Sequence, residues 1–361
     1  MFSIGILGFL VWSQMVALPH CEVGVTNLAV CWNSLVLTST FNSKNLVSYT
    51  QSAGNPYINL VNLKSSSETT CETSRRFETF TKLTSGRKLS EARGNKLISN
   101  EWLTWFIGFT EGDGAILTTK GKARFVLTQK EGAILYHVQE VLGFGEVRQF
   151  DGYYRFIVTD TQSILLLVHI FNGNLVLPHR QEQLRNWINA LDVDQNSSMN
   201  FKLLQLNLRV FKPSLKDAWL SGFTDAEGCF NIAIQSRLNT VTGYRVSLRF
   251  LLDQKNAEST LLQIQGLFKS GQVFLRRDTN SVYRYHNNTF KGLLPVRDYF
   301  LAYPLKTKKA ESFKHWLEAF NMILNKEHLM PEGLDRIRTI AKLINLKNSL
   351  NNKTGSALLK P

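Results

Sequence analysis

The stretch WFIGFTEGDGAI, Trp105 to Ile116, decides the fold, because WLSGFTDAEGCF, Trp219 to Phe230, repeats its arrangement later in the chain. Each stretch is an apolar run that ends in two carboxylates set among small residues. A carboxylate at the C-terminal end of a helix faces the negative end of the helix dipole, which is unfavourable. The repeated placement therefore indicates that these acids serve something other than helix stability.

The sequence after each stretch also recurs, in the same order. FVLTQKEGAILYHVQEVLGFGEV matches FLLDQKNAESTLLQIQGLFKSGQV, YYRFIV matches VYRYHN, and QLRNWINAL matches SFKHWLEAF. Apolar periodicity predicts a helix, two strands, a helix, two strands and a helix in each copy. We therefore predict an α+β fold of two αββαββα repeats. Trp187 and Trp316 stand at matching places in the last helices, where core packing is expected.

The repeats divide the chain into five parts. Residues before the first motif show no lasting period, and they become basic close to it. The predicted boundaries are an irregular extension at 1–97, a first repeat at 98–193, a linker at 194–213, a second repeat at 214–350 and a tail at 351–361.

Small residues four positions apart share one face of a helix and allow close backbone approach. The two predicted motif helices have such faces: Gly108 and Gly112 in the first, Gly222 and Ala226 in the second. If the helices pair through these faces, their C-terminal ends bring Asp113 and Glu227 together. Two close carboxylates repel each other unless a cation lies between them, and oxygen ligands suit Mg²⁺ (or Mn²⁺). The alternative is that each acid only caps or solvates a helix end.

The composition favours a polyanionic partner. The 361 residues carry a formal net charge of +14, and a basic excess of that size is typical of nucleic-acid-binding proteins. None of the four cysteines forms a CxxC pair, so we expect neither a zinc site nor a disulfide framework.

Strand alternation supplies a candidate recognition surface. In YRVSLRF the apolar side chains point one way and the arginines the other, which predicts one buried and one basic sheet face. A β-ribbon of this kind fits the major groove of double-stranded DNA. The candidate DNA-binding residues are Arg124, Arg155, Gln235, Arg237, Arg245, Ser247, Arg249, Arg276 and Arg284.

FIGFTEGDG and LSGFTDAEG resemble the two signature helices of a single-chain LAGLIDADG homing endonuclease, and the resemblance extends over roughly residues 100 to 350. It implies a monomer whose two pseudosymmetric halves form a saddle over double-stranded DNA and cut both strands at a specific site. The acid before the final glycine is the family's metal ligand, which places this role on Asp113 and Glu227. The preceding acids, Glu111 and Asp225, are not implied as ligands.

The same resemblance implies further catalytic residues. Family members have a glutamine near the end of the second strand of each repeat, which here falls on Gln129 and Gln254 and positions water. A basic residue after the fourth strand corresponds to Lys306, with Lys308 nearby. The first copy has Pro178 in that place, so basic assistance is expected to be asymmetric.

FSIGILGFLVWS, Phe2 to Ser13, resembles a segment of the largest subunit of cytochrome c oxidase. This implies an intron reading frame fused to a mitochondrial exon, a mitochondrial location and no membrane association of the mature enzyme. Three alternatives stay open: an RNA maturase that assists splicing of its own group I intron, a DNA-binding module without cleavage, and a protein anchored in a membrane by residues 1–18.

Overall fold

A computed structural model of the chain describes residues 75–85, 97–193, 205–207, 209–277 and 279–355. The segment that resembles cytochrome c oxidase, most of the predicted extension, and the first part of the predicted linker lie outside these residues. No helix in the described part of the chain is long and apolar enough to cross a membrane.

The first repeat begins with a helix whose start is fixed by Ser99, because its side chain accepts a hydrogen bond from the Trp102 backbone N–H at 3.1 Å. The next strand starts directly after this helix. The elements are α2 (Asn100–Asp113), β1 (Gly114–Thr119), β2 (Lys122–Gln129), α3 (Gly132–Leu142), β3 (Glu146–Phe150), β4 (Tyr153–Val158), α4 (Thr161–Phe171) and α5 (Pro178–Val193). A shorter helix, α1 (Glu78–Ser85), precedes them.

The second repeat follows the same order. Its elements are α6 (Trp219–Glu227), β5 (Gly228–Ser236), β6 (Tyr244–Lys255), α7 (Glu258–Phe268), β7 (Gln272–Leu275), β8 (Val282–Asn287), α8 (Phe290–Ala302), α9 (Lys309–Leu324) and α10 (Pro331–Gly355). Helix α10 continues five residues into the predicted tail. The hairpin between β5 and β6 is longer than its counterpart, which is a two-residue turn at Lys120 and Gly121 with positive φ at both residues.

Each repeat contains a four-stranded antiparallel sheet, in the orders β1-β2-β4-β3 and β5-β6-β8-β7. The predicted α+β fold of two matching repeats is therefore confirmed. After its fourth strand the first repeat continues with two helices and the second with three, instead of the single predicted one in each. Helices cover one face of each sheet, and Trp187 and Trp316 are fully buried there, as expected for core residues.

Helices α2 and α6 pack directly on each other through the predicted small residues. A Cβ built on Gly108 would overlap the backbone oxygen of Trp219 and lie 2.8 Å from the Phe223 nitrogen. A Cβ on Gly222 would overlap the oxygen of Trp105 and lie 2.8 Å from the Phe109 nitrogen. The two contacts are reciprocal, so the helix pair carries the pseudosymmetry of the molecule.

The predicted irregular extension departs from expectation at residues 75–85. Helix α1 packs against α4, and Phe77 and Phe80 are buried in the core. Arg75 is buried as well, and its Nη1 pairs with the Asp217 carboxylate at 2.5 Å. The sequence showed no lasting period here because a helix of eight residues, about two turns, is too short to produce one.

Candidate active site

Asp113 and Glu227 are the last residues of α2 and α6, and both are half-buried. The Glu227 Cγ lies 3.1 Å from the position that a Cβ on Gly112 would occupy, so this acid lies against the end of the partner helix. Burial and the neighbouring Asp113 charge raise the pKa of Glu227 to about 8, and burial raises the pKa of Asp113. At both acids, burial therefore outweighs the nearby groups that favour the charged form.

The other acid of each motif is fully engaged within the protein. The Glu111 carboxylate accepts hydrogen bonds from the backbone N–H groups of Val176 and Leu177, at 2.9 and 2.6 Å, and from Trp219 Nε1 at 2.6 Å. Burial still raises the pKa of Glu111 to about 7. Its role is to tie α2 to the start of α5 and to the opposite repeat.

Asp225 is the pseudosymmetric counterpart of Glu111. It accepts hydrogen bonds from the backbone N–H groups of Lys306 and Thr307, at 2.7 and 3.0 Å, and from Trp105 Nε1 at 2.8 Å. Each motif helix thus sends a tryptophan N–H to the buried acid of the other. Each motif thus has one acid that holds the helices together and a second acid, Asp113 or Glu227, that takes no part in these contacts.

Two cations cover the C-terminal ends of the paired helices at matching places. Arg180 Nε donates to the Glu111 carbonyl at 3.0 Å and its Nη2 to the Gly112 carbonyl at 3.2 Å. Lys309 Nζ donates to the carbonyls of Thr224 and Ala226, at 3.2 and 2.5 Å. Carbonyls at a helix end have no partner within the helix, so a cation there satisfies them and opposes the dipole. The positive charges of both residues lower the pKa values of Asp113 and Glu227.

The predicted catalytic residues Gln129, Gln254 and Lys306 differ in their exposure and in their contacts. Gln129 Nε2 donates to the Asp113 carboxylate at 2.6 Å. Gln254 is buried, and the one hydrogen bond that the described residues give its side chain comes from the Lys255 backbone N–H at 3.3 Å. Lys306 is exposed, with its Nζ 5.8 Å from the centre of the Trp105 ring. The positive charges that lower the pKa values of the two acids include those of Lys309 and Arg180.

Few protein side chains could ligate a metal ion at the ends of α2 and α6. Among the residues that the structure describes, no three His, Cys, Asp or Glu side chains cluster into a metal site. Asp113 and Glu227 provide hard oxygen ligands only, and Glu227 accepts no hydrogen bond from any described residue. A cation held here would take its remaining ligands from water or from an oxygen-rich substrate.

The outer face of the first sheet is basic. Register places Arg124 opposite Leu117 and Arg155 opposite Thr128, on the face away from the buried Phe125 and Leu127. The Arg155 guanidinium carbon lies 5.0 Å from the centre of the Tyr153 ring and 5.3 Å from that of Phe150.

The outer face of the second sheet carries the other predicted residues. Gln235 lies opposite Arg245, while Ser247 and Arg249 follow along the same face of β6, and Arg237 begins the adjoining hairpin loop. Arg276 and Arg284 lie at the far side of this sheet, where both donate to Asp253. All nine predicted contacts therefore lie on the two outer sheet faces or at their edges.

Comparison with known proteins places the chain in a family. The family model described as LAGLIDADG endonuclease matches residues 106–191 and 220–320, which is more than half of the chain. The chain belongs to the LAGLIDADG endonuclease family. The two matched segments coincide with the two repeats, each starting in its motif helix.

Individual relatives agree with this membership. The chain is 34% identical, over 71% of its length, to probable intron-encoded endonuclease 4 of Neurospora crassa, and it spans 45% of that protein. It is 26% identical, over 65% of its length, to an uncharacterized cox1 intron-2 37.2 kDa protein of Schizosaccharomyces pombe, and it spans 70% of that protein. The LAGLIDADG meganuclease I-AabMI bound to uncleaved DNA shares the fold, with a TM-score of 0.57 and 24% identity over 66% of this chain and 98% of that one.

Three residues of this LAGLIDADG site were assigned no role from the sequence. Arg180 and Lys309 each follow other basic residues closely, in PHR and KTKK, and only the packed loops decide which side chain reaches the helix ends. Asp253 directly precedes the predicted Gln254. The strand pattern places this acid on a basic sheet face but does not show which arginines contact it. A search for residues that precede the paired glutamines would have found it.

Proposed function

We propose that this chain is a site-specific DNA endonuclease that depends on a divalent cation held by Asp113 and Glu227. One observation carries the proposal: the reciprocal helix pair brings two acids to its end, where burial raises both pKa values and the Asp113 charge further raises that of Glu227. Membership of the LAGLIDADG endonuclease family and the DNA complex of the related I-AabMI support it.

The acids fit a hard cation such as Mg²⁺. They offer only carboxylate oxygens, and the raised pKa values show that extra positive charge is favourable at this place. With two protein ligands, a bound cation keeps coordination positions for water and for phosphate oxygens of DNA. When bound, it would lower the pKa of a coordinated water and stabilise charge on the phosphodiester oxygens.

The chain's own residues would arrange the reaction around the acids. Gln129 holds the Asp113 carboxylate in one orientation through its 2.6 Å hydrogen bond. Arg180 and Lys309 supply the positive charge beside the acids, and we assign to them the basic assistance that the sequence placed on Lys306. The nucleophile is water, with Gln129 and Gln254 as the residues that position it.

The outer sheet faces would bind the duplex. Arg124, Arg155 and Arg249 each keep a buried Nε without a partner among the described residues, and all three lie on these faces. A buried donor without an acceptor is costly, so an acceptor from a ligand would stabilise the arrangement. Phosphate oxygens and base edges are such acceptors.

The gene is proposed to be a mitochondrial intron reading frame. The relatives from Neurospora crassa and Schizosaccharomyces pombe are described as intron-encoded or as the product of a cox1 intron. The resemblance of Phe2 to Ser13 to cytochrome c oxidase points to the same gene. The maturase alternative gains nothing from these relatives and stays a prediction.

The test uses the purified full-length chain and duplex DNA that spans the intronless exon junction of a cytochrome c oxidase subunit 1 gene, together with a randomised duplex library. We expect cuts on both strands at a defined site with Mg²⁺, and binding without cuts when a chelator removes the cation. Binding with no cut under any divalent cation would contradict an endonuclease. Cuts that persist with the chelator would contradict the assigned cation.

A further inference from the structure

Asp253 holds two arginines on the outer face of the second sheet. Its Oδ1 accepts from Arg284 Nε at 2.6 Å, and its Oδ2 accepts from Arg284 Nη2 at 2.6 Å and from Arg276 Nη1 at 2.9 Å. A two-point contact between a carboxylate and a guanidinium fixes the plane of the guanidinium. We call these three residues the arginine clamp.

The first repeat lacks this clamp at the matching place. Thr128 precedes Gln129 and lies opposite Arg155, just as Asp253 precedes Gln254 and lies opposite Arg284. Arg155 instead rests on the rings of Phe150 and Tyr153. Stacking on a ring restrains the distance to it but leaves the guanidinium able to turn within its own plane. The two repeats therefore hold their matched arginines to different degrees.

The clamp keeps the properties that a DNA contact needs. Two arginines and one aspartate leave a net positive charge, so the group still attracts a polyanion. The side chains of Arg276, Arg284 and Asp253 are 31%, 29% and 24% exposed, which leaves part of each on the surface. The Asp253 charge also acts on Glu227, so the clamp lies close to the second motif acid. Its position is next to the proposed active centre.

We propose that Asp253 is a positioning residue that fixes Arg284 for base readout next to the active centre and makes the second half-site more stringent than the first. The inference rests on the proposed function, since it assigns a role during DNA recognition. An arginine reads guanine through two acceptors on one base edge. An arginine held in the correct plane loses less conformational freedom on binding, and it tolerates a displaced acceptor less well.

The experiment uses full-length protein and a randomised duplex library, cut in the presence of Mg²⁺ and sequenced. Arg284→Ala locates the base pair that this arginine reads. Asp253→Asn keeps the size of the side chain but loses its charge and one acceptor, and Asp253→Thr installs the residue of the first repeat. Glu182→Gln is the matched control, because it removes an acid from the exposed Arg185–Glu182 pair on helix α5, off the outer sheet faces.

The wild type is expected to prefer guanine by about 10-fold or more at the position that Arg284→Ala relaxes. Both Asp253 variants should lower the preference at that same position to about 3-fold or less, and leave the other positions as they were. Glu182→Gln should leave every position unchanged. Because each preference is a ratio between bases, a uniform loss of rate does not affect it.

Three results would overturn the inference: an unchanged preference in both Asp253 variants, an equal relaxation at all positions, or no positional effect of Arg284→Ala. A wild-type chain that cuts nothing would contradict the proposed function instead, and this role with it. If the wild type cuts and both Asp253 variants keep its base preference, the arginine clamp has no role in base readout. The proposed endonuclease activity is then unaffected.

Discussion

At the scale of single residues, each motif divides its two acids between structure and chemistry. Glu111 and Asp225 are buried acceptors of tryptophan and backbone N–H groups. Asp113 and Glu227 are one helical half-turn further on, where the Asp113 charge raises the pKa of Glu227. Burial costs the two pairs differently, because Glu111 and Asp225 each have several donors, whereas Asp113 accepts one hydrogen bond from Gln129 and Glu227 accepts none from the described residues. Stability and catalysis should therefore respond separately to substitutions two residues apart.

Glu111→Ala is predicted to destabilise the protein by about 3 kcal/mol or more, because it leaves the N–H groups of Val176, Leu177 and Trp219 buried without an acceptor. Chemical denaturation measures the loss of free energy of unfolding. Glu101→Ala, at an exposed position of the same helix, is the control and should change stability by less than about 0.5 kcal/mol. Equal effects of the two variants would show that Glu111 is not a structural anchor.

The pKa of Glu227, raised to about 8, gives a prediction for the metal-free protein. The folded state keeps a proton on this group that the unfolded chain releases near 4.5. Between these two pKa values the folded protein therefore binds one more proton than the unfolded chain. As a result, the free energy of unfolding falls as pH rises, by up to about 1.4 kcal/mol per pH unit.

Glu227→Gln should reduce that pH slope, because glutamine does not titrate. Urea denaturation in the presence of a chelator, at several pH values between about 5 and 8, measures it. The raised pKa of Asp113 gives a slope of the same sign, so some dependence remains in the variant. An identical slope in wild type and Glu227→Gln would mean that Glu227 is ionised throughout and has its charge compensated.

At the scale of elements, the pairing of α2 and α6 depends on the lack of side chains at two glycines. Gly108 and Gly222 each face a backbone carbonyl of the partner helix, and neither leaves room for a Cβ. The close approach also sets the separation of Asp113 and Glu227, since each acid ends its helix. Helix geometry therefore controls the active site directly.

Gly222→Ala is predicted to destabilise the protein by about 1–3 kcal/mol or more and to lower cleavage, because the added methyl group separates the helices. Gly266→Ala in α7 is the matched control. A Cβ there meets nothing within 4 Å, so alanine should stabilise the helix by about 0.5–1 kcal/mol. Thermal denaturation compares both variants. Stabilisation by both substitutions would contradict the close helix contact.

At the scale of the whole molecule, the segment before the first repeat joins parts that are distant in sequence. Arg75 contacts the Asn174 carbonyl at 3.1 Å in the first repeat and Asp217 just before α6, and its guanidinium lies 4.8 Å from the Phe211 ring in the linker. Burial lowers the pKa of Arg75, and the Asp217 charge opposes this. The segment belongs to the same folded body as the two repeats and should be retained when the chain is shortened.

Shortening the chain to start at residue 98 is predicted to lower the melting temperature relative to a chain that starts at Thr70, because it removes Phe77, Phe80 and the Arg75 ion pair. Arg75→Met alone should cost about 3–5 kcal/mol, since it leaves Asp217 without its buried partner. Lys82→Met, at an exposed position of α1, is the control. Equal melting temperatures for the two truncated chains would contradict this role.

The sequence predicted the features that depend on local periodicity and on the internal repeat: the paired motif helices, the strands, the basic sheet faces and the meeting of Asp113 and Glu227. Features fixed by packing between distant segments were not predictable in the same way. Arg75 meets Asp217 across the fold, and the loop KTKK offers three lysines whose distances to the helix ends depend on its backbone path. A strand pattern likewise shows which face Asp253 occupies, but not that two arginines converge on it.

The central claim is that Asp113 and Glu227 hold the divalent cation that cleavage requires. The most direct measurement compares cleavage and binding of the same duplex site by wild type, Asp113→Asn and Glu227→Gln, in full-length protein, with Mg²⁺ for cleavage and Ca²⁺ for binding. We predict that each variant loses cleavage by about 100-fold or more while its affinity for the duplex changes by less than about 5-fold. Cleavage at the wild-type rate in either variant, or loss of binding together with cleavage, would contradict the account.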